Sequence, residues 1–243
     1  MKKIPETDAI FERLADLNPA ADADETVLRL SIDAKATIPL GLFSRNGCSR
    51  LTVKALDHDF RSEQKLTPVG IFLPQYNQLY LYLTTGPVTA DLLVDCLYDT
   101  WLMVEENFPQ VRTLLLNLDN GPENHSRRTQ FMHRLTQLAD TSGLTLELAY
   151  YPPYHSKYNP IERVWGVLEQ HWNGSLLDSI QTVLNFAQTM TYNGVHPVVD
   201  MIETLYHTGV KLTQQAMAIL EHRLERFSGL EKYFVRITPL CSP

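Results

Sequence analysis

Several runs of the chain alternate apolar and polar side chains with the period of two that β-strands require. Residues 27–33 point three aliphatic side chains to one face and three polar ones to the other, and residues 79–84 and 144–150 repeat this alternation. Residues 111–118 are nearly all apolar, as in a strand covered on both faces. Residues 49–56 and 69–73 add extended segments, and a turn before residue 79 predicts a hairpin. The sequence therefore predicts a sheet with strands in both directions.

Apolar residues spaced by three and four predict helices between and after these strands. Thr89 is a good N-cap for the first, whose apolar face is followed by Pro109. Ser126 is the predicted cap of the second, which stops near Gly143. A short helix over residues 10–17 and a polar connector over residues 18–24 are expected before the first strand. Beyond Trp172 the pattern is helical again, with one stripe over 180–187 and another over 217–224.

The helix that follows the 144–150 strand carries the most specific local signals. Asn159 is the predicted N-cap, and Pro160 suits the first helical position, where its missing N–H costs nothing. Ile161, Val164, Trp165, Leu168 and Trp172 then form one inward face. Glu162 lies on the first turn and is therefore held beside the positive end of a helix.

Strands in a hairpin followed by strand–helix–strand–helix predict an α/β fold. A chain of 243 residues that is 44% hydrophobic can bury a large core. The expected organisation is an acidic N-terminal segment and linker at 1–26, a core at 27–175, and a C-terminal helical extension of the same domain at 176–243.

Three acidic residues in this pattern suggest chemistry. Asp33 lies on the polar face of its strand, Asp119 lies where an apolar strand stops, and Glu162 begins a helix. In sheets of this kind, ligands gather beyond the carboxyl ends of the strands. Three carboxylates with no nucleophile or Gly-rich phosphate loop nearby suit hard divalent cations and phosphodiester chemistry.

Each acid also has a structural interpretation. An Asx residue three positions before a Glu is a capping box, which would explain Glu162 without any chemistry. A single acid at a strand end, such as Asp33 or Asp119, is often a turn former. Asp57-His58-Asp59 is the chief rival acidic cluster, although adjacent acids point to opposite sides of a strand or mark a turn.

Three pieces of the chain together resemble the catalytic part of DDE insertion-sequence transposases, in the mariner-related group with an RNase H-like fold. They are residues 31–33, residues 118–122 and residues 152–165. The last piece is the most specific, because a proline–tyrosine loop leads into Asn-Pro-Ile-Glu and then Trp. Shorter segments at 44–45, 55–59, 126–131 and 169–174 resemble one bacterial subgroup of those transposases. The resemblance extends from about residue 7 to the C-terminus.

The resemblance implies an RNase H-like mixed five-stranded sheet flanked by helices, with a C-terminal helical appendage, so that residues 27–175 are the catalytic core. It implies that Asp33, Asp119 and Glu162 bind the catalytic metals, two Mg²⁺ ions for which Mn²⁺ can substitute. The implied activity is hydrolysis of a phosphodiester at transposon ends, followed by strand transfer into target DNA.

The partner implied by the resemblance is DNA, both at the transposon ends and at the target. His155 and Lys157, in the loop before Glu162, are candidates for steering the scissile phosphate. Arginines on the helices are candidates for phosphate contacts, although exposed arginines on helices are usually only solvated. These arginines are Arg127, Arg128, Arg134 and Arg163.

The net charge modifies this interpretation. The chain has 28 acidic and 21 basic residues, a formal charge of −7, whereas DNA-binding domains usually carry a basic surplus. The segment before Asp33 is also too short for helix-turn-helix domains. We therefore hypothesise a truncated or split-frame transposase, with a separate N-terminal DNA-binding portion and a homodimer as further expectations. The alternatives are a catalytically silent DNA- or protein-binding remnant and a host RNase H-like nuclease acting on RNA–DNA hybrids.

Other sequence features narrow the class of protein. No apolar run is long enough to cross a bilayer, and no signal-type apolar region follows the N-terminus. The three cysteines are scattered without metal spacing, which suits free thiols in a reducing compartment. The eight histidines include no close pair at helical metal spacing, which argues against zinc. We expect a cytoplasmic, nucleoid-associated bacterial protein without a membrane segment.

Overall fold

The computed structural model describes residues 3–42 and 64–240, and these form a mixed sheet covered by helices on both faces. The helices are α1 (Thr7–Ala23), α2 (Ala90–Val104), α3 (Thr129–Ser142), α4 (Ile161–His171), α5 (Ile180–Thr189) and α6 (Gln214–Glu221). The strands are β1 (Val27–Ala34), β2 (Ile38–Pro39), β3 (Lys65–Leu73), β4 (Gln78–Thr84), β5 (Thr113–Leu118), β6 (Thr145–Tyr150), β7 (Val198–Ile202), β8 (Leu224–Arg226) and β9 (Phe234–Ile237). Asp57-His58-Asp59 and the predicted 49–56 strand lie outside the described residues.

The five central strands run in the order β4-β3-β1-β5-β6. β3 pairs antiparallel with both β4 and β1, whereas β1, β5 and β6 are parallel to one another. Parallel neighbours require crossover helices, and α2 and α3 provide them. The mixed five-stranded core expected from the sequence is confirmed, and the fold is RNase H-like.

The helices divide into two layers that cover opposite faces of the sheet. α1, α2 and α3 bury residues such as Ile10, Leu97 and Leu135 against one face, while α4 and α5 bury Trp165 and Val183 against the other. β5 is accordingly buried on both sides, which explains its run of leucines.

The N-terminal segment is a continuous helix rather than a short helix and a connector. α1 runs through Pro19 to Ala23, because its last turns are fixed to the sheet by side-chain contacts. Asn18 Oδ1 accepts from Asn117 Nδ2 at 3.0 Å, and Asp22 forms an ion pair with Arg29 at 2.6 Å. These contacts outweigh the loss of one backbone donor at the proline, so residues 18–23 are helical where a polar connector was expected.

The C-terminal region is not purely helical either. After α5, strand β7 pairs parallel with β4 at one edge of the sheet, and β9 pairs antiparallel with β6 near the other. The predicted 217–224 stripe is divided, since α6 ends at Glu221 and Leu224 belongs to β8. Within the described residues the sheet therefore has nine strands, four more than the sequence predicted.

The predicted helix starts had different outcomes. Thr89 caps α2 as expected, with its side chain accepting from Leu92 N at 3.2 Å. Ser126 does not cap α3, which begins at Thr129; its Oγ donates instead to the carbonyl of Lys232 at 2.7 Å. Gly143 follows the last residue of α3 and terminates the helix, because its φ of +72° is in the left-handed region.

None of the described helices is both long and apolar enough to cross a membrane.

Candidate active site

The two aspartates reach the same edge of the sheet because their strands are parallel neighbours. β1 and β5 pair in register, with Ser31 opposite Asn117 and Ile32 opposite Leu118. Asp33, near the end of β1, is the next residue after Ile32, and Asp119, just beyond β5, is the next residue after Leu118. This edge is the carboxyl end of both strands, where ligands gather in such sheets.

Glu162 is brought to this edge by a set of hydrogen bonds that fixes the start of α4 to β1. Ser31 Oγ donates to Asn159 Oδ1 at 2.5 Å and accepts from Ile161 N at 3.1 Å. Asn159 Nδ2 donates to the carbonyl of Ile32 at 3.3 Å. Ser31 and Asn159 are almost fully buried, so each of these bonds satisfies a group that water cannot reach.

The predicted side-chain cap at Asn159 does not form. Glu162 N donates to the backbone carbonyl of Asn159 at 3.0 Å, while the amide side chain of Asn159 bonds to β1 instead. The hydroxyl of Ser31, from a different element, accepts a hydrogen bond from the buried N–H of Ile161, the first residue of α4. A capping box therefore does not account for Glu162, whose side chain is partly exposed at the strand edge.

Close packing between α4 and β3 surrounds Asp33. A Cβ at Gly70, the β3 residue paired with Asp33, would lie 2.6 Å from Ile161 Cδ1 and 2.6 Å from Trp165 Cη2. Only a glycine lets α4 approach this closely. Trp165 Nε1 then donates to Asp33 Oδ2 at 2.9 Å and fixes the orientation of that carboxylate.

The charges of the other two acids affect the pKa of Asp33. Desolvation by burial is the largest cause that raises the pKa of Asp33 to about 7, and the charge of Asp119 is the second. The Trp165 hydrogen bond lowers it, and the charge of Glu162 raises it further. A carboxylate whose ionisation is opposed by two neighbouring carboxylates is a favourable place for a cation.

Asp119 has a different environment, in the loop after β5. Its Oδ1 accepts from Asn124 Nδ2 at 2.9 Å and from Gly121 N at 3.3 Å. Asn124 is 5% exposed, and its Oδ1 has no hydrogen-bond partner among the described residues. An orphaned buried amide oxygen beside a carboxylate indicates a place for a water or another donor.

The donor types near Asp33 suit a hard divalent cation, although the acids do not form a three-residue site. Within residues 3–42 and 64–240 there is no group of three or more His, Cys, Asp or Glu side chains that could hold a metal ion. Mg²⁺ does not require one, because it is held by one or two carboxylates together with waters and substrate phosphates. Asp33 and Asp119, at the carboxyl ends of adjacent parallel strands, suit that mode of binding.

The candidate DNA-contacting residues fall into two groups. Lys157, Arg163 and Arg127 are exposed. His155 is 2% exposed, and its Nδ1 is 2.8 Å from the carbonyl of Pro153, so this ring is bonded within the loop. Its contact with phosphate stays a prediction.

Two of the candidate arginines are engaged in ion pairs. Arg128 pairs with Glu123 at 2.9 Å. Arg134 pairs with Asp91 at 3.1 Å and with Asp95 at 2.5 Å, both on α2. An arginine already paired with acids has less positive charge to offer to DNA.

Comparison with known families identifies the chain. Residues 1–239 match the model of a family described as the Rhodopirellula transposase DDE domain. The chain belongs to this family of transposase DDE domains. None of the curated proteins matches the chain.

Solved structures with a similar fold are those of Mos1 transposase. The Mos1 mariner paired-end complex with Mn superposes on the DDE domain with a TM-score of 0.53 and 12% identity, covering 76% of this chain and 54% of that one. The Mos1 strand transfer complex has a TM-score of 0.52 and 15% identity, with coverage of 76% of this chain and 54% of that one. The paired-end complex with the left transposon end has a TM-score of 0.51 and 14% identity, with coverage of 74% of this chain and 50% of that one. At these identities the likeness shows the fold alone. The DDE domain spans about half the length of these transposases.

Several residues of the candidate site were not recognised from the sequence. They are Ser31, Gly70, Asn124 and, in its contact with Asp33, Trp165. In the sequence, Ser31 is part of the 31–33 motif, and Trp165 is part of the 152–165 motif and of an apolar helix face. Neither pattern indicates a contact with the acids. Gly70 carried a readable signal, because a glycine in the interior of an apolar strand marks a close approach by another element.

Proposed function

We propose that this chain is the catalytic domain of a DNA transposase, in which Asp33, Asp119 and Glu162 bind the catalytic divalent metal. The proposal is supported by the positions of Asp33 and Asp119 at the carboxyl ends of adjacent strands and by the effect of Asp119 and Glu162 on the pKa of Asp33. It is also supported by the bonds of Ser31 and Asn159 that fix the start of α4, which carries Glu162, to β1. Membership of the DDE family supports the same assignment. Neither a silent remnant nor a host nuclease is favoured by that membership.

The proposed reaction is two successive phosphodiester exchanges. In the first, water attacks the scissile phosphorus and the bond to the 3′ oxygen breaks, leaving a 3′ hydroxyl and a 5′ phosphate. In the second, that hydroxyl attacks a target phosphodiester, forming one P–O bond and breaking another. Two bound Mg²⁺ ions, or Mn²⁺ in their place, would activate the attacking oxygen and stabilise the leaving one.

The residues of this chain prepare the site for those steps. Asp33 near the end of β1, Asp119 just beyond β5 and Glu162 on the first turn of α4 would hold the metal. Trp165 fixes one oxygen of Asp33, and Asn124 with Gly121 fixes one oxygen of Asp119, so both carboxylates are oriented before the substrate arrives. No covalent enzyme intermediate is required, so no serine or tyrosine nucleophile is needed.

The partners follow from the same proposal. The substrates are DNA at transposon ends and at a target, and the net charge of −7 indicates that much of the binding energy comes from outside this chain. A DNA-binding portion N-terminal to this domain, or on a separate chain, would supply it. We further propose that the active form is a homodimer, so that two transposon ends are processed together.

The test is magnesium-dependent nicking of supercoiled plasmid DNA by the purified chain. Asp119→Asn retains an oxygen that can accept from Asn124 and Gly121, so the fold is preserved while a metal ligand loses its charge. We expect nicking to fall by at least about a hundredfold, as is typical when a group essential to charge stabilisation is removed. Glu106→Gln, an exposed acid after α2, is the matched control and should keep full activity. Undiminished nicking by the Asp119 variant would remove the assignment.

A further inference from the structure

The segment between β5 and α3, residues 119–128, is called here the Asp119 loop, and it consists of turns rather than a helix or a strand. Within it, Asp119 Oδ1 accepts from Asn124 Nδ2 and from Gly121 N. His125 N donates to the carbonyl of Gly121 at 3.2 Å. The orientation of the Asp119 carboxylate therefore depends on whatever keeps this loop in its folded shape.

The C-terminal hairpin of β8 and β9 supplies contacts from outside the loop. Its turn, residues 227–233, meets the Asp119 loop where Ser126 Oγ donates to the carbonyl of Lys232 at 2.7 Å. Ser126 is 2% exposed, so this bond satisfies a hydroxyl that water cannot reach. Strand β6 adds a second link, since the buried hydroxyl of Tyr150 donates to the carbonyl of Asn124 at 2.6 Å. The late part of the chain thus packs directly on the loop that holds Asp119.

Arg226, the last residue of β8, joins the hairpin to this loop with a single side chain. Its Nη2 donates to the carbonyl of Ser126 at 3.1 Å, and its Nη1 donates to the carbonyl of Glu231 at 3.0 Å. The Nε and Nη2 groups also pair with the carboxylate of Glu221 at the end of α6. The side chain is 17% exposed. A planar guanidinium can bond in several directions at once, so Arg226 fixes the loop, the hairpin turn and α6 to one another.

Arg223, just before β8, shows what an arginine with a structural role alone looks like in the same region. It donates to both oxygens of Asp140 on α3 at 2.7 Å, and to the carbonyl of Thr238 at 2.9 Å. Its side chain is 21% exposed, close to the value for Arg226. Both arginines therefore bind a carboxylate and the backbone, but only the bonds of Arg226 include the Asp119 loop.

We propose that Arg226 is a positioning residue for Asp119. By bonding to the carbonyl of Ser126 it holds the Asp119 loop in the shape in which Asn124 and Gly121 orient the carboxylate. Arg226 acts through the loop and touches neither metal nor DNA. The inference rests on the proposed function, because it takes Asp119 to be a metal ligand. It makes the C-terminal hairpin a working part of the site.

The first test uses the metal-free chain. Amide hydrogen exchange followed by NMR reports the bonds that His125 N and Arg128 N make within the Asp119 loop. In Arg226→Gln these amides should exchange about tenfold faster or more, relative to amides of β3, because a charged group has lost its hydrogen bonds to the loop. Arg223→Gln is the matched control, and it should leave the two amides at their wild-type rates.

The second test measures Mn²⁺ affinity by titration calorimetry, where positioning and simple charge effects have opposite signs. Removing a positive charge near a cation site would by itself tighten Mn²⁺ binding. Loss of positioning should instead weaken it, by about tenfold, at the lower end of the effect of losing a partner that orients a ligand. Arg226→Gln should therefore bind Mn²⁺ more weakly than the wild type, and Arg223→Gln should bind it equally well.

A double-mutant cycle tests the route of the effect. If Arg226 acts by keeping Asn124 bonded to Asp119, its replacement matters less once that bond is gone. In an Asn124→Ala background, Arg226→Gln should thus cost clearly less Mn²⁺ affinity than it does in the wild type. Fully additive losses would overturn the proposed route and with it the positioning role.

A milder variant keeps the test decisive if Arg226→Gln does not fold. Arg226→Lys keeps the charge but not the planar fork, so it cannot bond to Ser126, Glu231 and Glu221 together. We expect it to show faster exchange in the Asp119 loop and weaker Mn²⁺ binding, both to a smaller extent. Wild-type exchange rates and wild-type affinity in this variant would contradict the proposal.

The result can be separated from failure of the proposed function. If the wild type neither binds Mn²⁺ nor nicks DNA, but Arg226→Gln alone loosens the Asp119 loop, the positioning of Asp119 stands and its role as a metal ligand does not. If the wild type binds Mn²⁺ and nicks DNA, while Arg226→Gln leaves loop exchange unchanged or tightens Mn²⁺ binding, the function stands and the positioning proposal fails.

Discussion

The two aspartates at the strand edge are the same residue type in opposite environments. Asp33 is enclosed by α4 and β3, bonded to one indole N–H, and has a pKa raised to about 7 by desolvation and by the charge of Asp119. Asp119 lies in a loop, where one oxygen accepts hydrogen bonds from Asn124 and Gly121. The first carboxylate is under electrostatic stress in the absence of a cation, whereas the second is mainly oriented. Three predictions test that difference, from the largest expected effect to the smallest.

Neutralising Asp33 should stabilise the metal-free protein. The ordinary pKa of an aspartate is 3.8, whereas that of Asp33 in the folded protein is about 7. As the pH rises, this carboxyl group therefore ionises at a lower pH in the unfolded chain than in the folded one. Stability should therefore fall between about pH 4 and pH 7 and then level off. Asp33→Asn removes this loss and keeps an acceptor for Trp165, so it should be more stable at pH 8 by up to about 4 kcal/mol.

Urea denaturation at pH 5 and pH 8 measures this effect. The gain in the free energy of unfolding of Asp33→Asn over the wild type should be present at pH 8 and much smaller at pH 5. Asp119→Asn, whose hydrogen bonds survive the change, should alter stability by less than about 1 kcal/mol. A less stable Asp33→Asn at pH 8 would contradict the difference between the two aspartates.

Adding a methyl group at Gly70, the β3 residue paired with Asp33, should lower the free energy of unfolding. In Gly70→Ala the new Cβ would lie 2.6 Å from atoms of Ile161 and Trp165, so α4 must shift away from β3. We expect a loss of about 1 to 3 kcal/mol, as for overpacking of a core. The measurement is the midpoint of chemical denaturation. Gly166→Ala, in the exposed part of α4 with open space around its Cβ, is the matched control and should gain about 0.5 to 1 kcal/mol. Equal effects of the two substitutions would mean that the close contact between α4 and β3 is not needed.

Releasing the oriented oxygen of Asp119 should have the smallest effect on stability and a clear effect on metal binding. Asn124→Ala removes the donor to Asp119 Oδ1, and its expected cost is about 1 kcal/mol. Loss of a partner that orients a metal ligand typically weakens metal affinity by about 10- to 100-fold. Titration calorimetry with Mn²⁺ checks this prediction. An unchanged affinity would show that Asn124 supports the loop alone.

Local patterns were sufficient to predict the central strands and the acids, because strand alternation and helix spacing depend only on neighbouring residues. The same patterns failed where distant contacts decide the structure. α1 continues through Pro19 because Asn18 and Asp22 bond to residues of the sheet, and no local signal contains those partners. Ser126 looks like a helix cap, yet its hydroxyl bonds to the carbonyl of Lys232, over a hundred positions away.

The candidate site shows the same limit. The sequence indicated which acids to consider but not what holds them. Asn159 resembled a local cap, and its side chain instead joins α4 to β1. His155 resembled a phosphate ligand, and its burial against Phe11 could not be foreseen from its position in a polar loop. The strands β7, β8 and β9 were missed because strands of three to five residues carry little periodicity.

The bond between Ser31 and Asn159 joins positions that are 128 residues apart. During synthesis, Asp33 leaves the ribosome long before the turn that carries Glu162. The site proposed for these residues can therefore be completed only after the late-made half of the chain folds onto the early-made one.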